Sequence, residues 1–292
     1  MKCEYCVSIV RRSAFFHVGL PKTATSSLQR WFHDSATYLK SKGIFYPGVY
    51  PNSHETKQQF LVPELRSGSD LSTLKSVLSS AQDMNLLLST EGLANHFDDF
   101  SPISTSELRR ILQNYSIHIC MVVRERRAWI KSYYKQALIT VRNGAHPLWA
   151  TAMLIDEFER HPRVQRLLDH TRLMNDISEA LGGVSSTFNY ESDLFRVVAH
   201  WLGVDFEEMA QVTRLHTSIP DWSAELVRRS NALNFPDEHR QALVGALRSE
   251  FPVWPKCIGH HLAASLLSPA VEGEFPAMHV EAVKFCNSAF SE

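Results

Sequence analysis

Within twelve residues, His17-Val-Gly-Leu-Pro-Lys-Thr-Ala-Thr-Ser-Ser-Leu28, the chain gathers one lysine and four hydroxyl side chains: Thr23, Thr25, Ser26 and Ser27. Backbone N–H groups at a helix N-terminus have no partner in their own helix, and the helix dipole favours negative charge there. An ammonium and several hydroxyls at that position suit an oxyanion such as a phosphate. The stretch is not a Walker A loop, because Pro21 precedes Lys22 and the single glycine, Gly19, lies three residues before the lysine. The alternative reading is a hydroxyl-capped helix beside an incidental lysine.

A second set of groups lies around Arg124. Residues 120–142 hold six basic side chains (Arg124, Arg126, Arg127, Lys131, Lys135 and Arg142) against one acid, Glu125. A guanidinium offers a two-pronged donor to a phosphate, and a hydroxyl such as Ser132 adds one further hydrogen bond. For the other basic residues the expectation is a solvated helix face. An arginine-rich RNA contact with Trp129, Tyr133 and Tyr134 as stacking partners lacks any accompanying nucleic-acid fold signature. For proton transfer, Leu86-Leu-Leu-Ser-Thr-Glu91 puts the carboxylate of Glu91 just past an apolar run. His54, Glu55 and His96 are its rivals as a base. Tyr190, within Thr187-Phe-Asn-Tyr-Glu191, is a candidate stacking surface or simply an aromatic at a strand end.

The surrounding pattern says what must position these groups. Ala14-Phe-Phe-His-Val-Gly19, Asn85–Ser89, Ser116–Val123 and Val184–Asn189 read as short strands buried on both faces. Helical spacing follows the first at Leu28, Trp31, Phe32 and Leu39, with Gly43 as its stop. Further helices fit Asp70–Gln82, a segment opened by the capping box Ser104-Thr-Ser-Glu107, Arg127–Arg142, and a stretch ended by Gly182-Gly183. Asp193–Leu202, Ser223–Leu233, Asp237–Phe251 and Val280–Phe290 complete the series. Strands alternating with helices predict an α/β fold with a central parallel sheet flanked by helices and a helical C-terminal third. The expected organisation is one domain over 1–292, with a core over 14–203 and a helical portion over 204–292. In such sheets the turns after the strands bind ligands.

Pro-Lys-Thr-Ala-Thr-Ser-Ser-Leu resembles the 5′-phosphosulfate loop of sulfotransferases that use 3′-phosphoadenosine 5′-phosphosulfate (PAPS), whose usual form is Pro-Lys-[Thr/Ser]-Gly-Thr-[Thr/Ser]. Ala24 departs from that pattern, since alanine tolerates positive φ less well than glycine. Ile117-His-Ile-Cys-Met-Val-Val-Arg124 followed by Ser132 is similar to the family's 3′-phosphate motif, a strand-terminal arginine with a helix serine eight residues on. Tyr190-Glu191, with Trp201-Leu-Gly203 close behind, resembles its adenine-contacting tyrosine and a following helix end. The resemblance covers 14–203. It implies a P-loop-NTPase-like fold, donor contacts from Lys22, Thr23, Ala24, Thr25, Ser26, Ser27, Arg124, Ser132 and Tyr190, and catalytic roles for Lys22 and Glu91. The implied reaction moves a sulfuryl group from PAPS to a hydroxyl or amine of a carbohydrate or small-molecule acceptor, leaving the bisphosphate PAP. The C-terminal Arg-Lys-Gly and Gly-Asp-Trp-Lys segments of many cytosolic members are not found. A soluble bacterial-type member is the remaining fit. The acceptor pocket is expected from 45–65, 93–100 and 140–165, whose aromatics, such as Tyr46 and Phe158, stack on a sugar or fill a core.

Composition narrows the alternatives. The 292 residues carry a net charge of −1, with 44% hydrophobic and 21% charged residues, which excludes a disordered chain and bulk electrostatic binding of nucleic acid. No apolar run approaches the roughly 20 residues of a membrane span. Five dispersed cysteines make a disulfide scaffold a poor fit and a reducing, cytoplasmic setting the better one. Cys3-x-x-Cys6 has no second ligand pair at zinc-finger spacing, so no metal is expected. The competing functions are a P-loop kinase-like phosphotransferase, and a nucleotide-binding module without catalysis that needs Lys22 and Arg124 but not Glu91.

Overall fold

Short apolar runs, bounded by charged or turn-forming residues, become the strands of one sheet: β1 Arg12–His17, β2 Ile44–Phe45, β3 Asn85–Ser89, β4 Tyr115–Val123 and β5 Val184–Asn189. All four pairings are parallel, in the order β2-β3-β1-β4-β5. The computed structural model describes residues 11–48, 56–68, 70–142, 146–213, 219, 223–234 and 236–248. Between and after the strands run α1 Thr25–Asp34, α2 Ala36–Ser41, α3 Leu61–Ser67, α4 Ser72–Ala81, α5 Gly92–Asn95 and α6 Pro102–Ile111. They continue with α7 Arg126–Ile139, α8 Ile155–Arg160, α9 Pro162–Leu168, α10 His170–Leu181, α11 Leu194–Leu202, α12 Ser223–Ala232 and α13 Asp237–Arg248. This is the α/β architecture expected, with helices flanking a parallel sheet.

The described residues divide between two compact units, one within Met1–Ile130 and Glu159–His216 and the other within Lys131–Phe158 and Thr217–Glu292. The first holds the sheet. One of its core clusters joins Phe15, Leu87 and Val122 of the sheet to Leu28, Trp31 and Phe32 of α1 and to Val198 of α11. In the described residues of the second, Asn231 Nδ2 and Arg240 Nη1 donate to the Leu138 carbonyl at 3.0 and 3.1 Å, tying α12 and α13 to the end of α7.

Strand order places the ligand-binding edge. The crossover from β1 leads toward β2, whereas those from β3 and β4 lead the other way, so the direction of connection switches at β1. Turns leaving such a switch point diverge to opposite faces and open a crevice at the C-terminal ends of the strands. His17 lies level with Ser89 on one side and Cys120 on the other, and β4 runs three residues further, so the segments after 17, 89 and 123 all leave from this edge.

Several local expectations are corrected. The helix after β1 does not run unbroken to Gly43; it stops at Ser35, whose hydroxyl accepts the Ala210 N–H at 3.0 Å, and α2 starts afresh. The capping box at Ser104 is not used. α6 begins one turn earlier, with Ser101 Oγ accepting the Ser104 N–H at 3.1 Å and Pro102 at the first helical position. β5 is an edge strand with its side chains exposed or half-buried, not buried on both faces. The short elements β2, α3, α5, α8 and α9 had no strong period to announce them. Val280–Phe290, His54, Glu55 and four cysteines (Cys3, Cys6, Cys257 and Cys286) lie outside the described residues, while Cys120 is buried and free.

Candidate functional site

The turn between β1 and α1 has an unusual backbone. Lys22 and Ala24 both take left-handed conformations, φ 66° and 61°, with Thr23 between them. Left- and right-handed residues in alternation turn successive N–H groups to one side and form an anion-binding concavity. Leu28 is the first residue to bond back along α1, to Ala24 O at 2.9 Å, so the preceding amides face off the helix end. Three bonds hold the turn. Thr23 and Thr25 hydroxyls both donate to the Leu20 carbonyl, at 2.7 and 3.0 Å, and Trp129 Nε1 donates to the Pro21 carbonyl at 2.7 Å. Gly19, at φ 41°, has Thr25 side-chain atoms 3.1 Å from where a Cβ would sit, so the strand end requires glycine. The four hydroxyls differ in burial: Thr23, Thr25 and Ser27 are buried, the two threonines holding the loop through Leu20, whereas Ser26, like Lys22, is half-buried.

Beneath the loop lies a buried polar chain that the sequence reading passed over. His17 Nδ1 is 2.7 Å from Ser89 Oγ, and the Ser89 side chain also bonds the Tyr46 hydroxyl. Tyr46 donates to the Thr56 carbonyl, so it accepts from Ser89, and Ser89 in turn accepts from the Nδ1–H of His17. This tautomer leaves His17 Nε2 a bare acceptor, buried and without a partner. Burial alone depresses the pKa of His17 to about 4, and raises that of Tyr46 above the ordinary phenol range. The one sequence signal was a histidine interrupting an apolar strand.

Glu91 stands where β3 gives way to α5, two residues beyond the position level with His17. Residues 57–59 are stitched to this strand end. Gln58 donates its backbone N–H to Ser89 O at 3.1 Å and accepts the Ser89 N–H on Oε1 at 2.6 Å, imitating a ladder rung with its side chain. Thr90 Oγ1 donates to Gln59 Oε1 at 3.1 Å, and Lys57 Nζ lies 4.0 Å from Glu91 Oε1. Lys57 and Gln58 carry no sequence signal, since only the tertiary fold brings 57–59 to 89–91. His96, the rival base, is built into an ionic cluster. Its Nδ1 lies 2.7 Å from Asp99 Oδ2, which Arg163 and Arg66 also approach at 2.7 and 3.1 Å. Arg163 Nη2 donates to the Asn95 carbonyl at 2.9 Å, clamping the end of α5. Burial first, and the arginines after it, lower the pKa of His96.

Arg124 follows the last residue of β4. Its guanidinium lies 4.7 Å from the centre of the Tyr190 ring, and the Tyr190 N–H donates to Val123 O at 2.8 Å. One face of Tyr190 is thus covered by Arg124, while its ring packs against the core cluster of Phe15 and Trp31. Arg124 Nε is buried and has no hydrogen-bond partner. Ser132, half-buried on α7, falls within the second unit. The expected solvated basic face holds only in part. Arg126 pairs with Glu159 at 2.9 Å, and Lys135 is buried with Nζ donating to Ile219 O at 2.8 Å. Tyr133 and Tyr134 are core residues, as are Tyr46 and Phe158. Among the described residues no group of three or more His, Cys, Asp or Glu side chains is placed to hold a metal ion, and no helix is long and apolar enough to cross a membrane.

No family model matches the chain, and no curated protein matches it. Among solved structures it is similar to that of a sulfotransferase from Alicyclobacillus acidocaldarius, at 15% identity and TM-score 0.43, over 82% of this chain and 100% of that one. A likeness this distant leaves function to be argued from the site.

Two measurements test the geometry. Ala24→Gly removes the strain of a left-handed alanine, outweighing glycine's extra unfolded-state entropy, and is expected to raise stability by about 0.5–1 kcal/mol in urea unfolding. His17 holds its proton less tightly when folded than when unfolded, so stability is level above pH 6.5 and falls as the pH drops toward 4. At pH 5 this one residue, depressed from 6.5 to about 4, accounts for a loss of about 2 kcal/mol, and His17→Gln flattens that part of the profile.

Proposed function

We propose that the chain is a sulfotransferase that uses PAPS as donor and a hydroxyl or amine of a carbohydrate or small molecule as acceptor. The observation that carries the reading is the buried Arg124 Nε without a hydrogen-bond partner, at the same edge of the sheet as the left-handed Lys22 turn. Arg124 follows β4, four residues past Cys120, and Lys22 follows β1, five residues past His17, which is level with Cys120, so both groups lie beyond the C-terminal ends of neighbouring strands. Two separated anion grips on one edge suit a ligand with phosphate at both ends. They suit ATP less well, because its charges are contiguous and its ribose carries none.

The donor supplies a sulfuryl group on a phosphate leaving group. The residues divide the remaining work. The turn's amides and Ser26 hold the 5′ anion, and Thr23 and Thr25 keep the turn in shape. Lys22 places a positive charge where the leaving oxygen gains its negative one, an interaction strongest in the transition state. Arg124 takes the 3′-phosphate, the feature that separates this donor from ATP. Glu91 accepts the acceptor's proton on its carboxylate, which Lys57 Nζ faces at 4.0 Å. His96, whose Nδ1 is committed to Asp99, serves structure.

Calorimetry with adenosine 3′,5′-bisphosphate and with ATP, followed by transfer from 35S-labelled PAPS to a panel of sugars, phenols and amines, checks this reading. The bisphosphate is expected to bind more tightly than ATP, and Arg124→Ala to weaken it about 10- to 100-fold. On an identified acceptor, Glu91→Gln is expected to lower kcat about 10²- to 10⁴-fold while leaving bisphosphate binding intact. A preference for ATP, or undiminished binding by Arg124→Ala, overturns the proposal. Full turnover by Glu91→Gln removes only the base assignment.

A further inference from the structure

Two carboxylates lie close to Arg124, and the structure gives them different tasks. Glu125 is committed to the start of α7: its Oε1 accepts the Arg127 N–H at 2.9 Å and its Oε2 the Ala128 N–H at 2.8 Å. These bonds to helix amides hold its carboxyl below the usual range. Glu191 has no such commitment through its side chain. Its backbone is fixed by the turn that ends β5, where its N–H donates to Asn189 Oδ1 at 3.0 Å. The carboxylate is 47% exposed and stands with Oε1 3.9 Å from Arg124 Nε, too far for a hydrogen bond. The guanidinium is thus held by the Tyr190 ring on one side and has a loosely placed carboxylate on the other, while its buried Nε bonds to neither.

We infer that Glu191 is a displaceable internal counter-ion of Arg124, which competes with the ligand's phosphate for the same guanidinium. The inference rests on Arg124 as an anion grip, and it adds a residue that sets how firmly that grip holds. A phosphate reaching Arg124 trades a long, half-solvated ion pair for short charge-assisted hydrogen bonds, and Glu191 turns out to water. When phosphate leaves, the carboxylate returns and the cation is not left alone. The consequence is a site that binds the bisphosphate less tightly than its donors allow. That suits an enzyme whose bisphosphate product must depart before the next turnover.

The test is a mutant cycle on the full chain. Calorimetry with adenosine 3′,5′-bisphosphate compares wild type, Glu191→Gln, Arg124→Ala and the double variant, with adenosine 5′-phosphate as the ligand lacking the 3′ group. Glu191→Gln is expected to bind the bisphosphate about two- to fivefold more tightly, the scale of an exposed ion pair. The gain should be absent for adenosine 5′-phosphate and absent in the Arg124→Ala background. Unchanged or weaker binding overturns the inference, as does an equal gain for both nucleotides or without Arg124, which would mark a general charge effect. A readout independent of the nucleotide is the Arg124 Hε–Nε signal in NMR, titrated with inorganic phosphate. It should saturate at about two- to fivefold lower phosphate in Glu191→Gln, and equal titrations defeat the counter-ion even if no adenosine nucleotide binds. Failure of the bisphosphate alone to bind wild type counts instead against the donor assignment.

Discussion

The turn after β1 depends on two carbonyls that find donors away from any ladder. Leu20 O takes two threonine hydroxyls and Pro21 O takes the Trp129 indole, all from buried side chains. These bonds secure a backbone in which two non-glycine residues stand in left-handed conformations, each costing about 1–2 kcal/mol in isolation. Without them the segment would relax, and the amides of the first turn of α1 would lose their common direction. The strain is thus held in place by desolvated hydrogen bonds, which are expensive to break inside a protein. The anion chemistry proposed for Lys22 rests on that arrangement.

The same logic extends along the sheet edge. His17, at the end of β1, sends its carbonyl to the Thr90 N–H and its ring to Ser89, so the first and third strands share both backbone and side-chain bonds where the site begins. Gln58 and Gln59 then bind the end of β3 from outside, and Gly92 makes room for them: a Cβ there would stand 2.2 Å from Val62 Cγ2 and 3.3 Å from Gln59 Nε2. Glu91 is therefore framed on one side by a lysine delivered from 57–59 and on the other by a helix end that arginines clamp. Exposed ion pairs contribute little by themselves. Here their value is positional.

Electrostatics at the far end of the edge is of another kind. Arg124 is not saturated: a ring, a distant carboxylate and an unbonded Nε surround it. The cluster around Asp99, with three charged or polar partners on one oxygen, shows what a satisfied arginine network in this protein looks like. In the proposed function the donor that Arg124 leaves unspent goes to the ligand.

How much was legible beforehand follows from the range of the forces involved. Strands of four or more apolar residues, the helices with a clean amphipathic stripe and the motif residues Lys22, Glu91 and Arg124 could be placed from local pattern, because propensity and burial act over neighbouring residues. Alternation of strand and helix sufficed to determine a parallel α/β sheet, and the resemblance to a loop that usually carries glycine at this position pointed to strain at residue 24. Tertiary structure alone decided the rest. Two residues pairing as β2, the choice of Ser101 over Ser104 as a cap, the partition of four hydroxyls into two that shape the loop and two beyond them, and the meetings of Lys57 with Glu91 and of Arg124 with Glu191 all depend on contacts between distant segments. Such contacts leave no period in the chain, because their free energy exists only once the sheet has brought its strand ends to one edge.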